Sequence, residues 1–162
     1  MLRRACIVVA LAALTLLAPS VEADAAGSAL TVVVTSISKT YTTHDVAPKG
    51  TSKGDTVVFH DTLLNVKQQF GEQAGATVGT DSGTMTYTST HTARLVGKAV
   101  LPGGTLRISG PVTAYGDGSI SAPVIGGTGR YDGVTGMLVV AKGTATRAKN
   151  TYVLAVSTEP VA

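Results

Sequence analysis

Between Thr56 and Leu64 the side chains alternate in character. Val57, Phe59, Asp61 and Leu63 fall on one side, and Val58, His60, Thr62 and Leu64 on the other. Residues two apart share a face of an extended chain, so this period predicts a strand over Thr56–Asn65, with the Phe59 side turned inward. Similar runs of Val, Thr, Ser and Ile predict strands over Leu30–Ser38, Ala76–Gly79 continuing through Thr84–Ser89, Thr92–Leu101, Thr105–Val112, Ser119–Ile125, Val134–Lys142 and Thr151–Thr158. Turn-type residues punctuate them at Pro48-Lys49-Gly50, Lys53-Gly54-Asp55, Asp81-Ser82-Gly83, Pro102-Gly103-Gly104 and Gly116-Asp117-Gly118. Beyond residue 28 no apolar stripe at helical spacing runs longer than about two turns. Short, evenly spaced strands predict an all-β sandwich or barrel. Lys39–Gly54 is the longest irregular piece and reads as a loop carrying Tyr41, His44, Asp45 and Pro48.

One segment is denser in glycine than the rest: Pro123 to Gly136, with glycines at 126, 127, 129, 133 and 136. It predicts a strand, a tight glycine turn plugged by the Tyr131 ring, and a second strand. It is not a phosphate loop. Gly127 and Gly129 are followed at the third position by Asp132 rather than glycine, no Gly-Lys-Ser/Thr follows, and a strand comes next instead of a helix N-terminus.

The first residues differ in kind. Arg3 and Arg4 precede an apolar run from Ile7 to Leu17, and Ala23-Asp24-Ala25 follows Pro19 as a small-residue cleavage site. The run is too short to span a bilayer. Residues 1–25 are therefore expected to be a signal peptide, and residues 26–162 a single secreted domain with no stable membrane insertion after cleavage. The one cysteine, Cys6, lies in the signal. The mature chain then has no disulfide, thiolate nucleophile or cysteine metal site, and burial alone holds it together.

The formal net charge is +3, and losing Arg3, Arg4, Glu22 and Asp24 leaves it unchanged. The basic residues are scattered, which argues against a nucleic-acid partner. His44, His60 and His91 have no metal-ligand spacing, so no metal or other cofactor is expected. No Gly-x-Ser-x-Gly marks a nucleophile. The candidate for chemistry is Asp61, an acid on the same face as Phe59. Desolvation would raise its pKa and fit it to donate a proton or orient a water. The plain alternative is a carboxyl satisfied by backbone or hydroxyl groups. Tyr87, Tyr115 and Tyr131 are candidates for a pocket wall.

Leu101-Pro102-Gly103-Gly104-Thr105-Leu106, Ile108-x-Gly110-Pro111, Tyr115-x-Asp117 and the segment Val124 to Gly136 together resemble the allene oxide cyclase barrel family and the related dirigent proteins. Gly54-Asp55-x-Val57-x-Phe59-x-Asp61-x-Leu63 and Ala74-Gly75-x-x-Val78-Gly79 fit the same pattern. The resemblance implies a small closed antiparallel β-barrel of eight strands with an apolar interior. It implies a chemistry of confinement, in which a dry cavity restricts the conformers of a reactive molecule. Asp61 falls where the cyclases place an asparagine that holds a water. The first strand, Leu30 to Ile37, lacks the acid and amide of the plant cyclases, so allene oxide cyclase activity itself does not carry over. The family also implies a homodimer or homotrimer.

Three functions are compatible with these residues. The first is a secreted barrel that binds a small apolar ligand and steers its cyclisation or isomerisation. Asp61 would act on the ligand, and Phe59, Leu63, Tyr115 and Tyr131 would shape the cavity. The others are a non-catalytic carrier of such a ligand, and a structural or interaction barrel filled by its own side chains.

Overall fold

Inward and outward residues alternate along eight strands: β1 (Ala29–His44), β2 (Thr56–Asn65), β3 (Thr77–Tyr87), β4 (Ala93–Leu101), β5 (Gly104–Ala114), β6 (Ile120–Gly129), β7 (Val134–Thr144) and β8 (Arg147–Val156). The structure is a computed structural model that describes residues 29–144 and 146–156. The expected signal at 1–25 lies outside the described residues, as do 157 and 158 of the last expected strand. Each strand pairs antiparallel with the next, and β1 closes on β8 with Val32 opposite Tyr152. The result is the closed eight-stranded barrel that the family resemblance implies. Closure removes both sheet edges. The described residues contain no helix.

The barrel has two unlike ends. The β2–β3, β4–β5 and β6–β7 turns lie at the end where β1 begins, and this end is packed shut. Leu63, Leu106, Tyr131, Tyr152 and Leu154 are at most 1% exposed. Tyr131 is the plug: its O–H donates to the Pro102 carbonyl at 3.3 Å. Gly127 has no side chain because its backbone runs against the same turn. A Cβ there would sit 2.4 Å from the Tyr131 carbonyl oxygen and 2.6 Å from that of Thr105.

Four local readings are corrected. Lys39–His44 is not loop but the second half of β1, and a register shift between Ser38 and Thr40 marks a bulge there. Asp81-Ser82-Gly83 is not a turn but the middle of β3. A Cβ on Gly83 would lie 2.9 Å from the ring of Phe59, its cross-strand partner, so this glycine makes room for a side chain rather than bending the chain. The glycine cluster belongs mostly to β6, which runs to Gly129, and only Arg130–Gly133 turns. β8 starts at Arg147 and so includes Asn150.

Candidate functional site

At the other end the barrel is open. A cavity of about 590 Å³ occupies its upper half, within the range of small-molecule sites. The interior is therefore not filled by its own side chains.

The cavity has two unlike sides. Four neighbouring strands supply polar groups: Asn150 from β8, Ser36 and Ser38 from β1, Asp61 from β2 and Asp81 from β3. Facing them are Leu95 on β4, Ile120 on β6, and Leu138 and Val140 on β7, with Val57, Phe59 and Met85 also lining the space. Tyr41 and Arg147 stand at the mouth. The β1 bulge explains Tyr41. Ser36 and Ser38 point inward, and the extra residue resets the alternation so that Tyr41 does too. The amide of Ser38 donates to the carbonyl of Thr146 at 3.0 Å, tying the mouth of β1 to the turn before β8.

Asp61 and Asp81 are cross-strand partners in the β2–β3 register. Such partners have Cβ atoms roughly 5 Å apart. Burial and the neighbouring Asp61 charge push the Asp81 carboxyl up to about 7, while Asn150 and Tyr152 pull the other way. The amide nitrogen of Asn150 donates to Asp81 Oδ2 at 3.0 Å, and the Tyr152 hydroxyl reaches the same oxygen at 3.5 Å. Burial raises Asp61 as well, opposed by the Ser36 and Ser38 hydroxyls. Two like charges this close do not both ionise readily, so each carboxyl makes the other harder to ionise and Asp81 is the one pushed furthest. Tyr152 is also held well above its ordinary value, by burial and by the Asp81 charge. It serves as a donor to Asp81 and not as a base.

Of the residues singled out from sequence, Asp61 and Phe59 line the cavity. Leu63 shares their face but is fully buried in the core below. Tyr131 is the plug of the closed end, and its pKa is raised by burial. Tyr115 sits just past β5, 48% exposed, with its hydroxyl 3.0 Å from that of Ser121. None of these three lines the cavity. Asp81, Asn150 and Tyr152 carry no sequence signal of a site. Asp81 was hidden by its Asp-Ser-Gly context, and Asn150 lay just outside the expected strand. Among the described residues no three His, Cys, Asp or Glu side chains cluster as metal ligands.

The model of the allene oxide cyclase barrel like domain matches residues 35–154, which includes every residue that lines the cavity. The chain belongs to the allene oxide cyclase barrel-like family. A search of curated proteins finds no match. Among solved structures, a pyocyanin demethylase is 22% identical with a TM-score of 0.64, the alignment covering 77% of this chain and 99% of that one. A nonspecific heme-binding cyclase of neoabyssomicin biosynthesis is 16% identical with a TM-score of 0.65, covering 82% and 68%. A pterocarpan synthase dirigent protein is 16% identical with a TM-score of 0.59, covering 89% and 98%. At these identities the three share the fold of this allene oxide cyclase barrel-like chain, as the closed barrel already indicates.

Proposed function

We propose that this barrel binds a small apolar molecule in its open half and steers the cyclisation or isomerisation of that molecule. The observation that carries the reading is the Asp61–Asp81 pair facing an apolar wall across a cavity of about 590 Å³. Confinement against Phe59, Leu95 and Leu138 would restrict a flexible chain to conformers close to ring closure. With one carboxyl protonated and the other ionised, the pair would supply both halves of acid–base chemistry. The protonated carboxyl gives a proton to one ligand atom and the ionised carboxyl takes one from another, so an isomerisation balances with no other reactant. The likeness to a cyclase described as catalysing a 4 + 2 cycloaddition, and to a dirigent protein, supports this class of reaction.

A carrier is the second reading, favoured by β1, whose polar contribution to the cavity is hydroxyls only. The alanine-rich cleavage site at residues 23–25 supports export in either case, and sequencing the mature N-terminus would test it. Exposed Val96 and Ile125 on the outer wall are compatible with a homodimer or homotrimer, which light scattering would resolve.

The deciding experiment starts from protein purified from its own host. Native mass spectrometry finds the bound molecule, which is then released and returned to wild type and to Asp61→Asn. Conversion to an isomer of the same mass by wild type, and slower conversion by the variant, supports catalysis. A molecule returned unchanged by both supports carriage.

A further inference from the structure

The polar side of the cavity is unbalanced. Asp81 is 5% exposed and Asn150 is 3% exposed, and both line the cavity with Asp61. Three of their oxygens are buried without a protein hydrogen-bond partner: Asp61 Oδ1, Asp81 Oδ1 and Asn150 Oδ1. The Asn150 amide and the Tyr152 hydroxyl converge on the other Asp81 oxygen, Oδ2, and the Ser36 and Ser38 hydroxyls support the Asp61 carboxyl while its Oδ1 stays without a partner. With Asp81 ionised, the contact with its Oδ2 fixes the Asn150 amide, because turning it over would set Oδ1 against the carboxylate. Three acceptors from β2, β3 and β8 are thus left over. A proton carried by one carboxyl would serve a single acceptor. Buried polar atoms without partners are costly, and a ligand that supplied donors would relieve that cost.

From this we propose that the ligand carries a hydrogen-bond donor at its buried end, a hydroxyl, amine or protonated ring nitrogen, aimed at Asp61 Oδ1, Asp81 Oδ1 and Asn150 Oδ1. An anionic group does not enter there. A carboxylate or phosphate would meet two carboxyls, and the cationic side chain of the lining, Arg147, is exposed at the mouth. The apolar remainder lies against Phe59, Leu95 and Leu138. This inference rests on the cavity being a ligand site, as proposed above, and adds which end chemistry it selects.

The test uses the purified protein and three probes with one ring system: 2-naphthol, 2-methoxynaphthalene and 2-naphthoate. Binding is measured by ligand fluorescence and by protein NMR shifts of cavity methyls. The naphthol is expected to bind about tenfold tighter than the methyl ether, the worth of one hydrogen bond to a charged group, and naphthoate weakest. The naphthol advantage should grow from about pH 5 to about pH 8, as the pair loses its proton. It should shrink in Asp61→Asn and Asp81→Asn. Equal affinity for the naphthol and its ether in the wild type overturns the donor rule while leaving the cavity a ligand site. Preferred binding of naphthoate also overturns it. Binding of none of the three overturns the ligand-site reading and this inference together. The comparison of probes in the wild type does not depend on either variant folding.

Discussion

Asp81 on β3 is the cross-strand partner of Asp61 on β2, and both carboxyls open into the same cavity. Like charges opposite each other weaken a sheet, and here water is largely excluded from one of them. Burial favours the protonated form of Asp81, and Asn150 and Tyr152 on β8 hold its Oδ2, which together let the barrel tolerate the pair. The arrangement resembles the paired carboxylates of acid–base sites, where environment separates two chemically identical groups.

Stability should fall as pH rises through neutrality. Asp81 titrates near 7 in the fold against 3.8 in the open chain. Between those values the folded state holds the proton that the unfolded state has released. Stability from this group is therefore highest below about pH 4 and is lost as pH climbs to 7 and beyond, by roughly 4 kcal/mol at most. Asp81→Asn removes the titration. Urea unfolding at about pH 5 and about pH 8 should show a smaller difference in the variant than in the wild type. An equal difference would mean that Asp81 is not the group responsible.

Tyr152→Phe keeps the buried ring and deletes one donor to Asp81 Oδ2. The carboxylate loses support, so Asp81 should titrate higher still, as carboxyl carbon NMR would read. Stability near pH 8 should drop by about 1 kcal/mol, and by less near pH 5, where the carboxyl is protonated. A downward move of the titration would contradict the assigned role of the hydroxyl.

These two residues also show where the sequence could and could not be read. The alternation over Thr56–Leu64 was enough to place Phe59, Asp61 and Leu63 on one inward face, because burial of one face enforces a period of two. The glycine cluster identified the closed end and its Tyr131 plug, because close backbone approach leaves a local mark. Asp81 left no such mark. Asp-Ser-Gly is turn chemistry in isolation, and it is strand here because Gly83 makes space for the ring of Phe59, which lies 24 positions earlier. Asn150 and Asp81 are 69 positions apart and meet only through barrel closure. Lys39–His44 lacks clear alternation because the bulge after Ser38 resets the parity and because both faces are exposed at the mouth. A polar site assembled by tertiary contacts is invisible to local periodicity, whereas a core face is not.

The plug and the cavity should be separable. Tyr131 is fully buried at the closed end and does not line the cavity. Tyr131→Ala should cost about 3–5 kcal/mol, as for a buried aromatic. Tyr131→Phe loses only the bond to the Pro102 carbonyl and should cost about 1 kcal/mol. Probe affinity measured well below the unfolding midpoint should be unchanged in the phenylalanine variant. A loss of affinity there would place Tyr131 in the ligand site after all.

Gly83 tests the link between backbone and cavity. An alanine Cβ would lie 2.9 Å from both the Phe59 ring and the Val96 carbonyl oxygen. The ring can swing into the cavity, but the carbonyl cannot yield without disturbing the β3–β4 pairing. Gly83→Ala should cost roughly 1–3 kcal/mol and weaken probe binding as Phe59 takes up ligand volume. Combining it with Phe59→Leu should restore part of the affinity and little of the stability.

Tyr41 makes the opposite case, a residue that bears on exchange and not on stability. It is 64% exposed and lines the mouth of the cavity. Surface substitutions of this kind change stability by no more than about 0.5 kcal/mol, so Tyr41→Ala should melt close to the wild type. Its ring nevertheless borders the open end of the cavity. Removing it should speed both association and dissociation of the naphthol probe in stopped-flow measurements, with a smaller change in their ratio. If only dissociation accelerates, Tyr41 is a contact in the bound state and not a rim group. If neither rate moves, the ligand enters without passing Tyr41, by the side of the mouth that Arg147 borders.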